Sequence, residues 1–525
     1  MKTKFKLLIS LCSTLILSSC TFFPTTSSSI TTSRQSENSS EIISSSSISN
    51  NEENSSSSDA INNRKFAIDL YSINDLHGRI NENSNENAPG ISKLTTYLKT
   101  LKSKNPDGYV FLSAGDTFQD TYESGENNGN LLAEWLDISG CEAMALGNHE
   151  FDWGQDALLK NKNLAKSCAF LGANIIDTST NKNPSLCDSY KIIERNNIKI
   201  GIIGTIGSTQ FTSICSPLIS NLDFLNTTDI VKNLSDELRA EKGCDVVVWL
   251  NHADYEHSDP EAVTQVSPVS NKKYVDAVFN AHTHNRENYP NNGVYFSQGY
   301  AHGSNISHIK LELLNNNIVS SSYSYSSYYD ICDEEEDLEV EKLKEKYYTK
   351  DYYTTKDTVL GNITGYPLIS RPYAGKILAK ATYDLYPEQM KNVDIVINNG
   401  ARNSGVSGPQ TKETLFNMMP FTNTTYIVSG ISGRDINNEL NYNYGYSPSL
   451  TKFEYNKTYT VAVIDYLLLH IDENKHYNYF PSYKEENIIS KIDEYSVDIL
   501  CNYLKKEGTI NLKNFDTSNY LPESE

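Results

Sequence analysis

Ala145-Leu146-Gly147-Asn148-His149-Glu150-Phe151-Asp152-Trp153-Gly154 is the stretch on which the reading of this chain turns. An apolar run ends there, and an amide, an imidazole and two carboxylates follow within residues 148–152. Each of those groups needs a buried partner or open water, so a purely structural loop has little use for such density. Asn148 offers a neutral oxygen to a hard metal ion and leaves His149 free for proton work. Asp152, three residues on, can hold the imidazole in one tautomer.

Working outward, the same pattern recurs. Apolar runs at 66–73, 109–114, 143–146, 245–250 and 275–279 read as strands. They lead into Asn74-Asp75-Leu76-His77-Gly78, Gly115-Asp116, Asn148-His149, Asn251-His252 and Asn280-Ala281-His282-Thr283-His284 respectively. Helix-like stretches lie between them at 91–102, 130–137, 155–165 and 228–241. Strands alternating with helices predict a layered α/β domain with its functional groups at the strand ends. On that reading Asp75, His77, Asp116, Asn148, His252, His282 and His284 meet along the same edge of one sheet. Oxygen and nitrogen donors without sulfur suit zinc, manganese, iron or magnesium. Seven donors exceed what one tetrahedral ion needs, and Asp116, arriving alone, could bridge two ions.

The whole chain has 525 residues, too many for one average domain, so two globular domains are expected. Lys and Arg number 45 against 66 Asp and Glu, a formal charge of −21. That balance argues against a nucleic-acid partner, which needs a basic face. A phosphorylated substrate would have to be attracted locally, and metal ions would do it. The nine Cys form no CxxC pair and no zinc-ribbon spacing, so they support neither a disulfide framework nor a thiolate site.

The N-terminus reads as a leader: Lys2, Lys4 and Lys6 precede an apolar run over 7–17 that is too short to span a bilayer. Leu17-Ser18-Ser19-Cys20 resembles the bacterial lipoprotein signal, in which Cys20 becomes the lipidated first residue. The expected product is lipid-anchored at the cell surface and does not span the membrane. Residues 21–64 are mostly Ser, Thr, Asn and Glu and read as a disordered tether. The first folded domain is expected over 65–329. Acids and lysines alternating at helical spacing mark 330–358 as a solvated connecting helix.

A second domain is expected over 359–525. Arg371-Pro372-Tyr373-Ala374-Gly375 leads into a helix, and a strand at 393–397 ends in Asn398-Asn399-Gly400-Ala401-Arg402. Met419-Pro420-Phe421-Thr422-Asn423 sits in a loop, and a strand at 458–464 ends at Asp465-Tyr466. An Arg at a strand end and two separated aromatics with polar neighbours are compatible with a binding site and equally with ordinary surface and core.

The motifs Asp75-Leu76-His77-Gly78, Gly115-Asp116, Gly147-Asn148-His149-Glu150-Phe151-Asp152-Trp153-Gly154, Asn251-His252 and His282-Thr283-His284 resemble, in order, those of the secreted 5′-nucleotidases among the calcineurin-like metallophosphoesterases. The resemblance runs over about residues 66–515. It implies a layered αββα metallophosphoesterase domain followed by a smaller α/β 5′-nucleotidase C-terminal domain. Two divalent metal ions are implied: Asp75, His77, Asp116 and His284 for the first, and Asp116 as bridge, Asn148, His252 and His282 for the second. His149 and Asp152 resemble the catalytic dyad. Arg371 and Arg402 resemble substrate-facing arginines, Phe421 and Tyr466 the aromatics that sandwich the base, Asn423 a base contact and Asp472 the ribose carboxylate. Departures are Ala281 where a glycine is usual, Lys376 where Asn or Arg is frequent, and His470-Ile471 where a glycine pair precedes that carboxylate. The activity implied is hydrolysis of extracellular nucleoside 5′-monophosphates. A nucleotide-sugar pyrophosphatase or a 2′,3′-cyclic-nucleotide phosphodiesterase would share the metal site. A surface nucleotide-binding lipoprotein that had lost turnover should have lost ligands, and all seven are present together with the dyad.

Overall fold

The computed structural model describes residues 64–522. The leader, Cys20 and the tether before residue 64 lie outside the described residues.

Two sheets, not one, carry the strand ends of the first domain. In the first sheet the order is Asn317–Ser327, Asn305–Leu314, Lys65–Ile73, Tyr109–Ser113, Cys141–Ala145, Ala169–Leu171. In the second it is Arg286–Asn291, Val294–Gly299, Ala277–Asn280, Val246–His252, Ile198–Ile206, Tyr190–Arg195. Val246–His252 pairs in parallel with Ile198–Ile206 and Ala277–Asn280, so its histidine belongs to the second sheet. The expectation of one shared edge fails because Ile198–Ile206 seeds a new sheet. Strands buried on both faces read as unbroken apolar runs, which carry no label for their neighbour.

Alternation along each strand sorts the side chains into layers. Ile68, Leu70, Val110 and Leu112 of the first sheet share one core with Ile200, Val246, Val248 and Leu250 of the second. Tyr71, Ile73 and Phe111 face the other way, under helices Gly90–Lys104 and Asn130–Ser139. Val247 and Trp249 point out beneath helix Thr227–Asp236, which contributes Val231. The result is helix, sheet, sheet, helix. Full burial of each large apolar side chain contributes about 1.5–3 kcal/mol.

The connection consists of three short helices, Tyr328–Ile331, Leu338–Tyr347 and Lys350–Asp357. The middle one is no free spacer. Its Val340 and Leu343 are buried in the first domain's outer core, and Lys346 pairs with Glu134 at 2.6 Å. The third helix buries none of its residues.

The second domain has a sheet ordered Ile488–Ile492, Thr425–Ser432, Thr458–Ile464, Ile395–Asn398, Tyr444–Tyr446, Tyr520–Leu521. Helices Arg371–Leu385 and Ser496–Glu507 cover one face through Ile377, Leu378 and Leu500. Ile436 of helix Gly433–Glu439 packs on the other with Val461 and Val463. A mixed α/β domain is therefore followed by a second α/β domain, as the sequence predicts.

The two domains are fitted closely. Tyr122 of the first is buried in the second domain's core, and its N–H donates to Asn417 Oδ1 at 2.9 Å. A Cβ on Gly125 would stand 2.8 Å from Phe416 Cε2, so only glycine admits that ring. Among the described residues no helix is long and apolar enough to cross a membrane.

Candidate active site

The groups that meet at the strand ends stand on backbone that ordinary residues avoid. Asp75 (φ 49°), His77 (φ 49°), Asp116 (φ 52°), His282 (φ 76°) and His284 (φ 56°) all occupy the left-handed region. Each such residue costs on the order of 1–3 kcal/mol and persists only where its surroundings over-determine it. Gly147 shows how tightly they do. A Cβ there would lie 2.6 Å from His252 Cε1, inside the space that the histidine occupies.

Glu150, which carries no metal or catalytic role in the sequence reading, ties two of these loops together. Its carboxylate accepts the N–H groups of Asp116 (2.9 Å), Thr117 (2.7 Å) and Gly147 (2.7 Å). Burial and the neighbouring Asp116 charge push its carboxyl up to about 7. The signal was visible as a second acid inside the motif with no separate task.

The histidines are oriented from behind. His77 Nδ1 donates to the Gln119 carbonyl at 3.2 Å, and His252 Nδ1 to the Ala114 carbonyl at 2.9 Å. Both Nε2 lone pairs are thereby aimed inward, the arrangement that metal-binding imidazoles use. His77 Nε2 lies 2.9 Å from His284 Nε2 and 3.9 Å from Asp116 Oδ2. His252 Nε2 is buried, makes no hydrogen bond, and lies 3.1 Å from Asp116 Oδ2. His282 Nδ1 is 3.0 Å from Asn148 Oδ1, and its N–H donates to Asp75.

The ligand-type atoms of Asp75, His77 and His284 all lie within 4.8 Å of one another, and so do those of Asp116, His252 and His282. All seven residues singled out from the sequence are thus brought together, with Asp116 next to both trios. Burial holds His77 well below the usual imidazole range and His282 down to about 4, so both offer lone pairs. Burial acts to lower the pKa of His252, but the Asp116 carboxylate outweighs it and pushes that imidazole up to about 10. The donor set and its convergence fit divalent cations, which would take the place of the proton so favoured on His252.

His149 stands differently. Its Nδ1 bonds Asp152 Oδ2 at 2.8 Å, and its backbone N–H donates to Asp116 Oδ1 at 2.9 Å. Burial acts to lower its pKa, but the Asp152 and Asp116 carboxylates outweigh that and push it up to about 9.

Behind the second sheet's histidines runs a buried polar chain that the sequence reading missed. Trp249 Nε1 donates to Thr205 Oγ1 (2.8 Å), Thr205 to Asn251 Oδ1 (3.2 Å), Asn251 to Asn280 Oδ1 (3.2 Å), and Asn280 to Glu287 Oε2 (2.9 Å). It fixes the residues just before His252 and Ala281. The methyl of Ala281 is fully buried in the core between the sheets, so the departure from glycine is absorbed by packing. His302 was also missed. Its ring centre is 6.1 Å from those of His77 and His284, and its N–H donates to the Asp75 carbonyl at 2.7 Å.

A cleft of ≈ 720 Å³ opens from this cluster between the domains. Asn148, His149, Asp152 and His282 line it on one side, and Arg402, Phe421, Asn423 and Tyr466 on the other. Phe421 stacks on His149 at 6.4 Å between ring centres, and Thr422 Oγ1 donates to the Asp152 carbonyl at 3.0 Å. Lys491 and Tyr495, not anticipated, line it too.

Two expected contacts fall outside the lining. Arg371 turns its Nε to the Ala401 carbonyl at 2.5 Å, propping the loop that presents Arg402. Asp472 accepts the N–H groups of Asn474 (2.8 Å) and His476 (2.9 Å), closing a tight turn under the Ile471–Tyr477 bridge. Both bonds use one carboxylate oxygen, Oδ1, to close this turn, and Asp472 does not line the cleft.

Residues 70–286 match the calcineurin-like phosphoesterase family, and this part of the chain is a domain of that class. Beyond that segment the described residues share the two-domain fold of solved 5′-nucleotidases. The crystal structure of a 5′-nucleotidase precursor from Thermus thermophilus superposes with a TM-score of 0.65 at 18% identity, over 85% of this chain and 97% of that one. Among curated relatives, an apyrase from Tabanus yao is 30% identical over 233 residues, 42% of this chain and 40% of the apyrase. A 5′-nucleotidase from Diplobatis ommata is 29% identical over 205 residues, 36% of this chain and 34% of that enzyme. The matched segment thus spans well under half the length of either relative.

Proposed function

We propose that this chain is a two-cation phosphomonoesterase that releases phosphate from nucleoside 5′-monophosphates, with the second domain reading the nucleoside. The observation that carries the reading is the shared cleft. Its one wall presents Asn148, His149, Asp152 and His282, the edge of the histidine–carboxylate cluster, and its other presents an arginine and two aromatic rings. Asp75, His77, Asp116 and His284 would hold one cation, and Asp116, Asn148, His252 and His282 the other. Divalent ions held there supply Lewis acidity toward a phosphate ester and an activated water, and zinc, manganese, iron or magnesium all suit the donors.

The chain's own groups do the rest. Against the effect of burial, the Asp152 and Asp116 carboxylates push His149 up to about 9, toward the protonated form, and Asp152 is the partner bonded to its ring. His149 can donate a hydrogen bond to the developing charge on the phosphate and pass a proton to the departing ribose oxygen. Asp152 fixes its tautomer. Arg402 offers a guanidinium to phosphate oxygens, while Phe421 and Tyr466 offer faces to the base, with Asn423 beside them. Closure of the second domain over the first excludes water from the reacting groups.

Hydrolysis of AMP, ADP, UDP-glucose and cyclic AMP, followed by separation of the nucleoside and nucleotide products and each with a chelator control, tests the assignment. AMP as the best substrate supports it. A clear preference for ADP, in line with the apyrase relative, or for UDP-glucose or cyclic AMP, would replace it.

We further propose that the enzyme acts outside the cell on a lipid anchor at Cys20, reached through the 21–64 tether. The support is the leader and Leu17-Ser18-Ser19-Cys20. Cys20→Ala should appear in the soluble extracytoplasmic fraction, and retention in the membrane after a salt wash would contradict the anchor.

A further inference from the structure

Asp120, four residues past Asp116, holds φ at 134°. Glycine takes such backbone freely and an aspartate only under strain. Its side chain is buried, and its carboxylate is shared between the domains. Oδ1 lies 2.8 Å from Arg402 Nε in the second domain, and Oδ2 accepts a bond from Arg79 Nη1 at 3.3 Å. Arg79 is committed elsewhere, to Glu86 at 2.7 Å and to the His77 carbonyl at 2.8 Å. Arg402 is the movable partner. Its guanidinium carbon sits 5.7 Å from the Phe421 ring centre, and that ring in turn stacks on His149.

The arginine best placed to meet a substrate's phosphate is therefore already answered by a carboxylate from the opposite domain. Asp120 is the buried member of this pair and keeps Arg79 when Arg402 leaves. Arg402 is half-buried at the cleft, so its release is favoured when another anion takes it. A phosphate group is the better partner for a forked guanidinium, with more oxygens and more charge. Within its own domain the acid meets Arg79 alone, and at 3.3 Å that contact is longer than the one Arg79 makes to Glu86. The neighbouring Gln119 makes its own interdomain bond, Nε2 to the Pro420 carbonyl at 2.8 Å, and glycine would relieve the φ.

We propose that Asp120 is an internal competitor for Arg402. It latches the domains together before substrate arrives, and it yields the arginine to the incoming phosphate, so that Asp120 sets the apparent affinity for phosphorylated substrates. The proposal rests on the reading above that Arg402 faces the substrate's phosphate.

Asp120→Asn removes the charge and keeps the shape, and Asp120→Gly removes the side chain and relaxes the backbone. In both, KM for AMP should fall about tenfold, because the ion pair between Asp120 and Arg402 no longer competes with the phosphate. In an Arg402→Ala background the same substitutions should leave KM where that background sets it, because the coupling needs both partners. KM unchanged or raised in both variants would overturn the proposal and make Asp120 a support for Arg402. Small-angle scattering of the full chain without nucleotide gives a readout independent of turnover. Both variants should show a larger radius of gyration than wild type, and equal radii would overturn the latch. A wild-type chain inert toward AMP would refute the nucleotidase reading instead, and the scattering comparison would still decide the latch.

Discussion

The two walls of the cleft are built on different principles. The first domain's wall presents Asn148, His149, Asp152 and His282. Directly behind it Asp75, His77, Asp116 and His252 are buried, set at strand ends and locked by framework hydrogen bonds, three of them on left-handed backbone. On the second domain's wall, Arg402, Phe421, Asn423 and Tyr466 are only half-buried and lie on loops or a one-turn helix. The first wall is preorganised for a fixed, charge-dense guest, which is what electrostatic catalysis requires. The second can give way to a ligand's shape, as a surface that selects by stacking and domain closure must.

That contrast can be broken by substitution. His149→Ala should lower kcat for AMP by about 10²–10⁴, the weight of one proton-handling or charge-stabilising group, while bound metal stays at the wild-type level. Metal analysis beside the kinetics checks this, and loss of metal in the variant would move His149 into the ligand set. Phe421→Ala or Tyr466→Ala should cost a smaller amount, about 1–3 kcal/mol of transition-state binding on AMP. Para-nitrophenyl phosphate, which has no nucleoside to stack, should change much less. Equal losses on both substrates, with a lowered melting temperature, would make the rings structural, since truncating a core aromatic costs about 3–5 kcal/mol. Asp472→Asn should matter least: its side chain closes a surface turn, and stability should shift by no more than about 0.5 kcal/mol with KM for AMP unchanged. A raised KM in that variant would return Asp472 to the ribose.

The same contrast explains what the sequence could and could not tell. The first wall was legible because its chemistry is contiguous. Asp75 and His77, Asn148 and His149, and His282 and His284 sit as near neighbours just after apolar runs, so spacing alone marks them. The partition of those runs between two sheets was not legible, because Val246–His252 and Cys141–Ala145 are alike in pattern and differ only in partner. His302 and the Thr205–Asn251–Asn280–Glu287 chain act through contacts across the fold, which no local spacing records. On the second wall Phe421, Asn423 and Tyr466 line the cleft as the sequence reading expects, whereas Asp472 and Arg371 lie outside its lining. Each of those two is used by its own neighbourhood, a turn in one case and the Ala401 carbonyl in the other. Asp120 was invisible for a further reason: its meaning lies in a φ angle and in an arginine from the other domain, far along the chain.

The central claim is that the buried histidine–carboxylate wall works by holding divalent cations. It is tested most directly by following AMP hydrolysis before chelation, after EDTA treatment and desalting, and after re-addition of zinc, manganese, iron or magnesium. Ligands of this kind bind only when deprotonated and give their ions up to a chelator. The account predicts activity that vanishes on chelation and returns with at least one of these ions. Full AMP hydrolysis by metal-free protein would contradict it.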